Sequence, residues 1–408
     1  MSLALREQSA AALKSAATIR ERCRNIATAV TAGRSRHFRI DRARLDETAA
    51  LVAAVTRRRY PDLAVPYHSR WRHFAAGGSE RAAELDRALA GRSDADCARA
   101  RIDLTVASVL LDAGAGPTWG FFEAESGQRF TRSEGLAVAS FRAFMRGAFS
   151  ARPDDALRVD ASALATMDAA TLANLFQAGT ANELLGLEGR AALLRRLGTA
   201  LVTQHGAFGI AARPGALFDT LTTSGTRRLV SASTLLQVLL DSLEPIWLTG
   251  SALGGAPLGD VWRHPHAGGS GRTAGWVPFH KLSQWLAYSL FEPLEWAGIT
   301  VTDRDQLTAL PEYRNGGLLL DAGVLRLVDA ADGARMWTVP SELVVEWRAL
   351  TVALLDELAP RVRTHLGAPA LPLACILEGG TWAAGRELAA GLRAGSPPLS
   401  IDSDATVF

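Results

Sequence analysis

Lysine is nearly missing from this chain. Of 44 basic residues only Lys14 and Lys281 are lysines, and the rest are arginines. A lysine kept against that bias suggests a task for a compact ammonium that a planar guanidinium does not perform. Lys14 lies in a polar N-terminal helix and is incidental, so Lys281 draws the interest. Cysteine is scarce too: Cys23, Cys97 and Cys375 are far apart, a spacing that fits neither a zinc finger, a redox pair nor a disulfide framework. Net charge is small, at +2, so no electrostatic excess points to nucleic acid or an anionic membrane. No apolar run approaches the ~18 residues of a membrane span. The opening "MSLALREQSAAALKSAATIRERCRN" carries charges every few residues and has no signal-peptide core. The expectation is a cytoplasmic protein with neither nucleic-acid nor membrane partners.

What is present is a globular balance, 48% apolar and 21% charged over 408 residues, enough for a sizeable core. Helical periodicity dominates. "SLALREQSAAALKSAATIRERCRNIATAVTA", residues 45–58, 80–92 and 97–113, "TRSEGLAVASFRAFMRGAF", and residues 163–179, 182–206, 215–224 and 231–243 all read as helices. The loop "HPHAGGSGRTAGW" precedes the strongly apolar helix "VPFHKLSQWLAYSLFEPLEWAGI". Strand signals are few, and "VLRLVDAADGARMWTV" predicts a β-hairpin about "AADG". The predicted fold is mainly α: one large helical domain with a small β-hairpin. Along it run an N-terminal part of about 1–150, middle helices over 151–260, a candidate catalytic part over 261–365 and a C-terminal extension over 366–408.

Two stretches carry candidate chemistry. Helical spacing places Lys281, Gln284, Trp285 and Tyr288 on one face, either a ligand-facing surface or a half-buried face with satisfied polar tips. In "TALPEYRNGG", Pro311 disfavours helix in the residue before it, and Asn315-Gly316-Gly317 predicts a turn with positive φ. Glu312, Tyr313 and Arg314 are thereby expected on a constrained turn. Weaker signals are Asp260 with His264 and His266, which lack a third ligand at metal-site spacing, and "GGSGRT", a glycine loop without the Lys-Ser/Thr ending of a P-loop. "LEGGTWAAGR" puts glycine amides before an expected helix, where an anion could sit. "PYHSRWRHF" gathers Arg70, Arg72, His68 and His73 around Trp71, and "LLDAGAGPTWGFFE" brings Asp112 and Trp119 to a turn.

The blocks "RSEGLAVASF", "LLDAGAGPTW", "PFHKLSQWLAYSLFEPLEWAGI", "LPEYRNGGLLLDAGVL", "LEGGTWAAGR" and "SDATVF" resemble the uracil-catabolism family of the fourth Urc protein, over nearly the whole chain. That resemblance implies a role in a pyrimidine-degradation route passing through a nucleotide, with other enzymes of the route as functional partners. A more distant likeness is to the queuosine salvage proteins, N-glycosylases on a helical fold related to DNA glycosylases. "FHKLSQ", "PEYR", "LLDAGVL" and "SELVVEWRA" follow their order of motifs from about Trp276 to Arg348. By that match Glu312 stands at the catalytic aspartate, Lys281 at the helix lysine, and Tyr313, Arg314 and Arg348 at neighbouring motif positions. Glutamate replaces aspartate, and Asn-Gly-Gly replaces Val-Pro-Gln.

Together these imply an N-ribosyl hydrolase acting on a phosphorylated ribosyl compound such as ribosylurea 5′-phosphate, with no metal or organic cofactor. Breaking a ribosyl C–N bond builds positive charge on the anomeric carbon, where a fixed carboxylate stabilises that charge, attacks it or activates water. Glu312 is the candidate for that role. Lys281 would either grip phosphate or keep Glu312 ionised, and Tyr288, Asp112 or His280 would protonate the leaving group. Gln284, Trp285, Trp119, Arg70, Tyr313, Arg314 and Arg348 complete the expected substrate contacts. The alternatives are a pyrimidine-ring amidohydrolase and a non-catalytic scaffold.

Overall fold

The computed structural model describes residues 10–223, 225–248 and 251–402; the terminal "SDATVF" block lies outside them. The chain forms two compact units, each assembled from separated stretches. The first draws its described residues from Met1–His68, Gly250–Gln284 and Asp303–Ser403, the second from Ser69–Thr249 and Trp285–Thr302. The helix Lys281–Trp296 gives its first turn to the first unit and its remainder to the second.

In the first unit the helix Glu342–Leu366 is the axis. It packs against Ala16–Thr31 and Leu45–Arg59, and its Leu343, Leu350 and Leu354 are buried, as are Ile19 and Ile26 of the first partner and Val52 of the second. Burial of such aliphatic side chains contributes ~1.5–3 kcal/mol each. Tyr313–Asp321 packs on Trp382–Arg393. The second unit is built on Asp94–Leu110 and Arg132–Met145, with Leu187–Thr203 beyond them. In its part of the Lys281 helix, Pro293 has no N–H to give the Ser289 carbonyl, and the Trp71 indole donates to that oxygen at 3.2 Å.

The fold is mainly α, as the periodicity indicates. All sheets among the described residues are two-stranded. The expected hairpin over 325–338 is not formed. Leu325–Leu327 pairs antiparallel with Phe38–Ile40, and Met336–Thr338 pairs parallel with Ser400–Asp402. The "AADG" segment between them winds into a 3-10 helix, Ala330–Ala334, which separates the two strands and sends each to a distant partner. A hairpin does occur at Gly120–Glu123 and Gln128–Thr131.

Candidate functional site

Glu312 is the N-cap of a helix. Its backbone is extended (φ −120°, ψ 166°), and the helix Tyr313–Asp321 starts directly after it. One carboxylate oxygen accepts the Arg314 N–H at 2.7 Å and the other accepts the Asn315 N–H at 2.6 Å. Two of the amides that every helix start leaves unpaired are thereby satisfied. The expected positive-φ turn at Asn315-Gly316-Gly317 is therefore replaced by helix. Gly316 is there for clearance: a Cβ on it would lie 2.7 Å from the Trp347 indole, which also donates to the Gly316 carbonyl at 3.1 Å. Burial pushes the Glu312 carboxyl above its ordinary pKa. The two amides oppose this, followed by the charges of Lys281 and His68. Lys281 therefore stands close enough for its ammonium to act on this carboxylate.

A buried frame fixes both ends of that pair. The Lys281 N–H donates to Asp260 at 2.9 Å, so the helix is capped by a residue 21 positions upstream. Both Asp260 oxygens accept from Arg348 at 2.7 Å, and one also accepts from the Trp262 indole at 2.7 Å. Burial alone would raise the Asp260 pKa, but Arg348 and the N–H donors together bring it below the ordinary carboxylate value. Arg348 also donates to the carbonyl of Pro311, directly before Glu312, at 3.3 Å. One guanidinium thus ties the start of the Lys281 helix to the bend that carries Glu312. Gln284 makes a second tie. Its amide donates to the Phe279 carbonyl at 3.0 Å and the Thr308 hydroxyl at 2.7 Å, and its oxygen accepts the Thr308 N–H at 2.8 Å. Asn315 adds a third, donating to the Leu310 carbonyl at 3.1 Å while accepting from Thr381 at 2.8 Å.

Other expected site residues serve different ends. His280 adopts a left-handed conformation, φ 48°, and Nε2 meets the Leu13 carbonyl at 3.0 Å. Burial lowers its pKa, which favours the neutral ring donating to that carbonyl. Arg314 donates to the Gly395 carbonyl at 3.1 Å and lies over the Tyr313 ring; Tyr313 is exposed. His264 contacts the Glu346 carboxylate at 3.2 Å through Nε2 and accepts the His266 N–H through Nδ1. Among the described residues no three His, Cys, Asp or Glu side chains form a metal-holding group. The "LEGGT" amides do not open a helix: Leu377–Thr381 is a π-helical turn continuing Leu373–Ile376 into Trp382–Arg393. Its glycines admit the helix Leu45–Arg59, since a Cβ on Gly379 would stand 3.0 Å from the Thr56 methyl.

Arg70, Asp112, Trp119, Trp285 and Tyr288 belong to the second unit. Arg70 is fully buried, pairing with Asp112 at 3.0 Å and donating to Ser108 at 2.7 Å. Asp112 also accepts the Ser133 hydroxyl, at 2.6 and 2.7 Å, so it acts as an acceptor in an ion pair. Trp119 is core, its indole bonded to the Phe176 carbonyl at 3.0 Å. Tyr288 is buried edge-on to Phe291. Trp285 lies beside His73 and Arg70.

No local pattern in the sequence marks His68 as a neighbour of the Glu312 carboxylate, or Glu378 as the partner of His68. His68 contacts the Glu378 carboxylate at 2.8 Å, and Arg59 pairs with the same glutamate at 3.2 Å. Their partners lie more than 300 residues along the chain.

A family model described as a protein of unknown function (DUF1688) matches residues 12–408. "Uracil catabolism protein 4" of Lachancea kluyveri is 38% identical over 430 residues, covering 97% of this chain and 98% of that one. "Protein urg3" of Schizosaccharomyces pombe is 38% identical over 383 residues, covering 91% and 92%.

Proposed function

The chain belongs to the DUF1688 family, with uracil catabolism protein 4 among its relatives, and from that footing we propose that it acts in uracil catabolism as an N-ribosyl hydrolase. Its substrate is a ribosyl 5′-phosphate such as ribosylurea 5′-phosphate, and its products are urea and ribose 5-phosphate. The bond broken joins the anomeric carbon to nitrogen. Water supplies the oxygen of the new bond, and its proton leaves with the nitrogen.

One observation carries this reading: a buried carboxylate whose pKa stays raised although two amides and a nearby ammonium oppose the effect of burial. As C–N cleavage builds oxocarbenium charge, the Glu312 carboxylate stabilises it, takes the proton of the incoming water and passes it to the departing nitrogen, which returns the carboxylate to its starting form. Its raised pKa strengthens it as a base. The Lys281 charge opposes that rise and so favours the ionised form. Asp260, Gln284 and Arg348 act as positioning residues, holding geometry that such catalysis needs to within a fraction of an ångström. The test is urea release from ribosylurea 5′-phosphate by the purified chain, beside uridine nucleotides and ureidopropionate. Urea from the first substrate alone supports the assignment. Ring opening of a free pyrimidine without ribose 5-phosphate formation rejects it.

A further inference from the structure

The glycine loop "HAGGSGRTAG" covers a buried cation. Arg22, on the helix Ala16–Thr31, is 6% exposed, and its Nε and Nη1 atoms are buried without a hydrogen-bond partner. The carboxylate paired with it is Glu21, 3.9 Å away on a largely exposed side chain, too distant for a hydrogen bond. The guanidinium lies against Gly269, where an added Cβ would sit 2.5 Å from its central carbon. Asn25, one turn along the same helix, donates to the Ala267 carbonyl at 2.9 Å and fixes the loop over it. Gly268, Gly269 and Gly271 have positive φ, the conformation that lets backbone N–H groups converge on an anion, while the Gly275 N–H closes the loop by donating to the Gly268 carbonyl at 2.8 Å.

The charged neighbours on the loop side are Arg263, over the Trp276 ring, and exposed Arg272; on the helix side Arg24 faces Asp356 at 3.7 Å. A buried guanidinium without a good counter-ion costs several kcal/mol. Apart from Glu21 and Asp356, the charged neighbours named here are all basic. We propose that Arg22 and the Ala267–Gly275 loop form an oxyanion site that takes a phosphate group. The site stands on its own contacts and does not depend on the glycosidase reading.

The experiment is thermal unfolding of the full chain, titrated with sodium phosphate at constant ionic strength against chloride, for wild type and Arg22→Met. Methionine keeps much of the stem volume and removes the charge. Phosphate should raise the wild-type Tm, and the apparent Kd should weaken by about tenfold or more in the variant. In chloride alone the variant should be at least as stable as wild type, because an unbalanced buried charge has gone. Equal phosphate responses, no wild-type response, or a variant that loses stability in chloride would each overturn the proposal. Ribose 5-phosphate and inorganic phosphate, run in parallel, identify the source. Arg22-dependent binding of the sugar phosphate but not of free phosphate marks a substrate or product subsite, and Arg22-dependent binding of both marks a general phosphate site. Sugar-phosphate binding unaltered by Arg22→Met counts against the site.

Discussion

Two glutamates, one in each unit, are enclosed in opposite ways. Glu123 receives Arg81 at 2.8 Å and Arg142 at 2.6 Å on one oxygen, and Ser126 at 2.6 Å on the other. Burial by itself would raise its pKa, yet the Arg81, Ser126 and Arg142 donors outweigh that and lower it to about 2. Glu312 is held by two amides and the charge of Lys281, and there burial prevails. A carboxylate saturated by guanidinium groups has almost no proton affinity left and serves as a structural anion. One whose weaker partners leave its pKa raised remains a usable base. The same residue type is thus a brace in one unit and a candidate catalyst in the other.

Breaking the catalytic side should have the largest effect. Glu312→Gln preserves shape and one of the two oxygens that accept the helix amides, so the chain should still fold cooperatively while kcat for urea release falls by ~10²–10³-fold or more. Turnover within a few-fold of wild type would reduce Glu312 to a helix cap. Glu123→Gln should do the reverse. It leaves Arg81 and Arg142 facing a neutral group, at a cost of ~3–5 kcal/mol in denaturant unfolding, with turnover per folded molecule unchanged. A stability loss under ~1 kcal/mol would show that this network behaves like a surface pair.

The two carboxylates should also give pH dependences of opposite sign. The folded pKa of Glu123 is depressed, so its contribution to stability is complete above the ordinary 4.5 and disappears as pH falls toward about 2. The folded pKa of Glu312 is raised above 4.5. Its ionisation therefore costs stability as pH rises through the folded value, and the cost is relieved on acidification. Wild type minus Glu123→Gln should gain stability with rising pH between about 2 and 4.5, whereas wild type minus Glu312→Gln should lose it in the window above 4.5. Two slopes of the same sign would remove the contrast. The acid limb of the kcat/KM profile should lie above 4.5, and Lys281→Met should move it further up, because the ammonium lowers the Glu312 pKa. A limb unmoved by that substitution would disconnect Lys281 from the carboxylate. Lys281→Arg keeps the charge but changes its shape and reach, and a smaller loss, of order tenfold, is expected in kcat.

Lys281 and Glu312 were legible because each breaks a local rule: one is a lysine in an arginine chain, and the other an acid after a proline in an apolar stretch. The helices were legible for the usual reason, since a 3.6-residue apolar period is written into each segment. What holds the pair together was not. Asp260 drew notice only as a metal-ligand type, and its actual partners, Arg348 and the Lys281 amide, are 88 and 21 residues away. Helical spacing placed Gln284 with Trp285 and Tyr288, but Gln284 bonds to Thr308, while Tyr288 is packed into the second unit. The "AADG" signal was real turn chemistry. Strand pairing, however, depends on partners such as Phe38, which that segment does not encode.

Glycine misled most, and the last comparison tests why. A glycine in sequence announces either φ freedom or the absence of a Cβ, and the two are indistinguishable without the neighbour. Gly316 and Gly391 both lie inside helices. At Gly316 a methyl would meet the Trp347 indole at 2.7 Å, whereas at Gly391 nothing lies within 4 Å. Gly391→Ala should therefore stabilise the chain by ~0.4–1 kcal/mol through loss of unfolded-state entropy. Gly316→Ala gains that same entropy term but must displace a buried indole, so a net loss of ~1–3 kcal/mol is expected. Because the helix Tyr313–Asp321 carries Glu312 at its start, that displacement should also reduce kcat. If both alanine variants were stabilised, Trp347 would be free to yield, and Gly316 would owe its place to something other than the close approach of that ring.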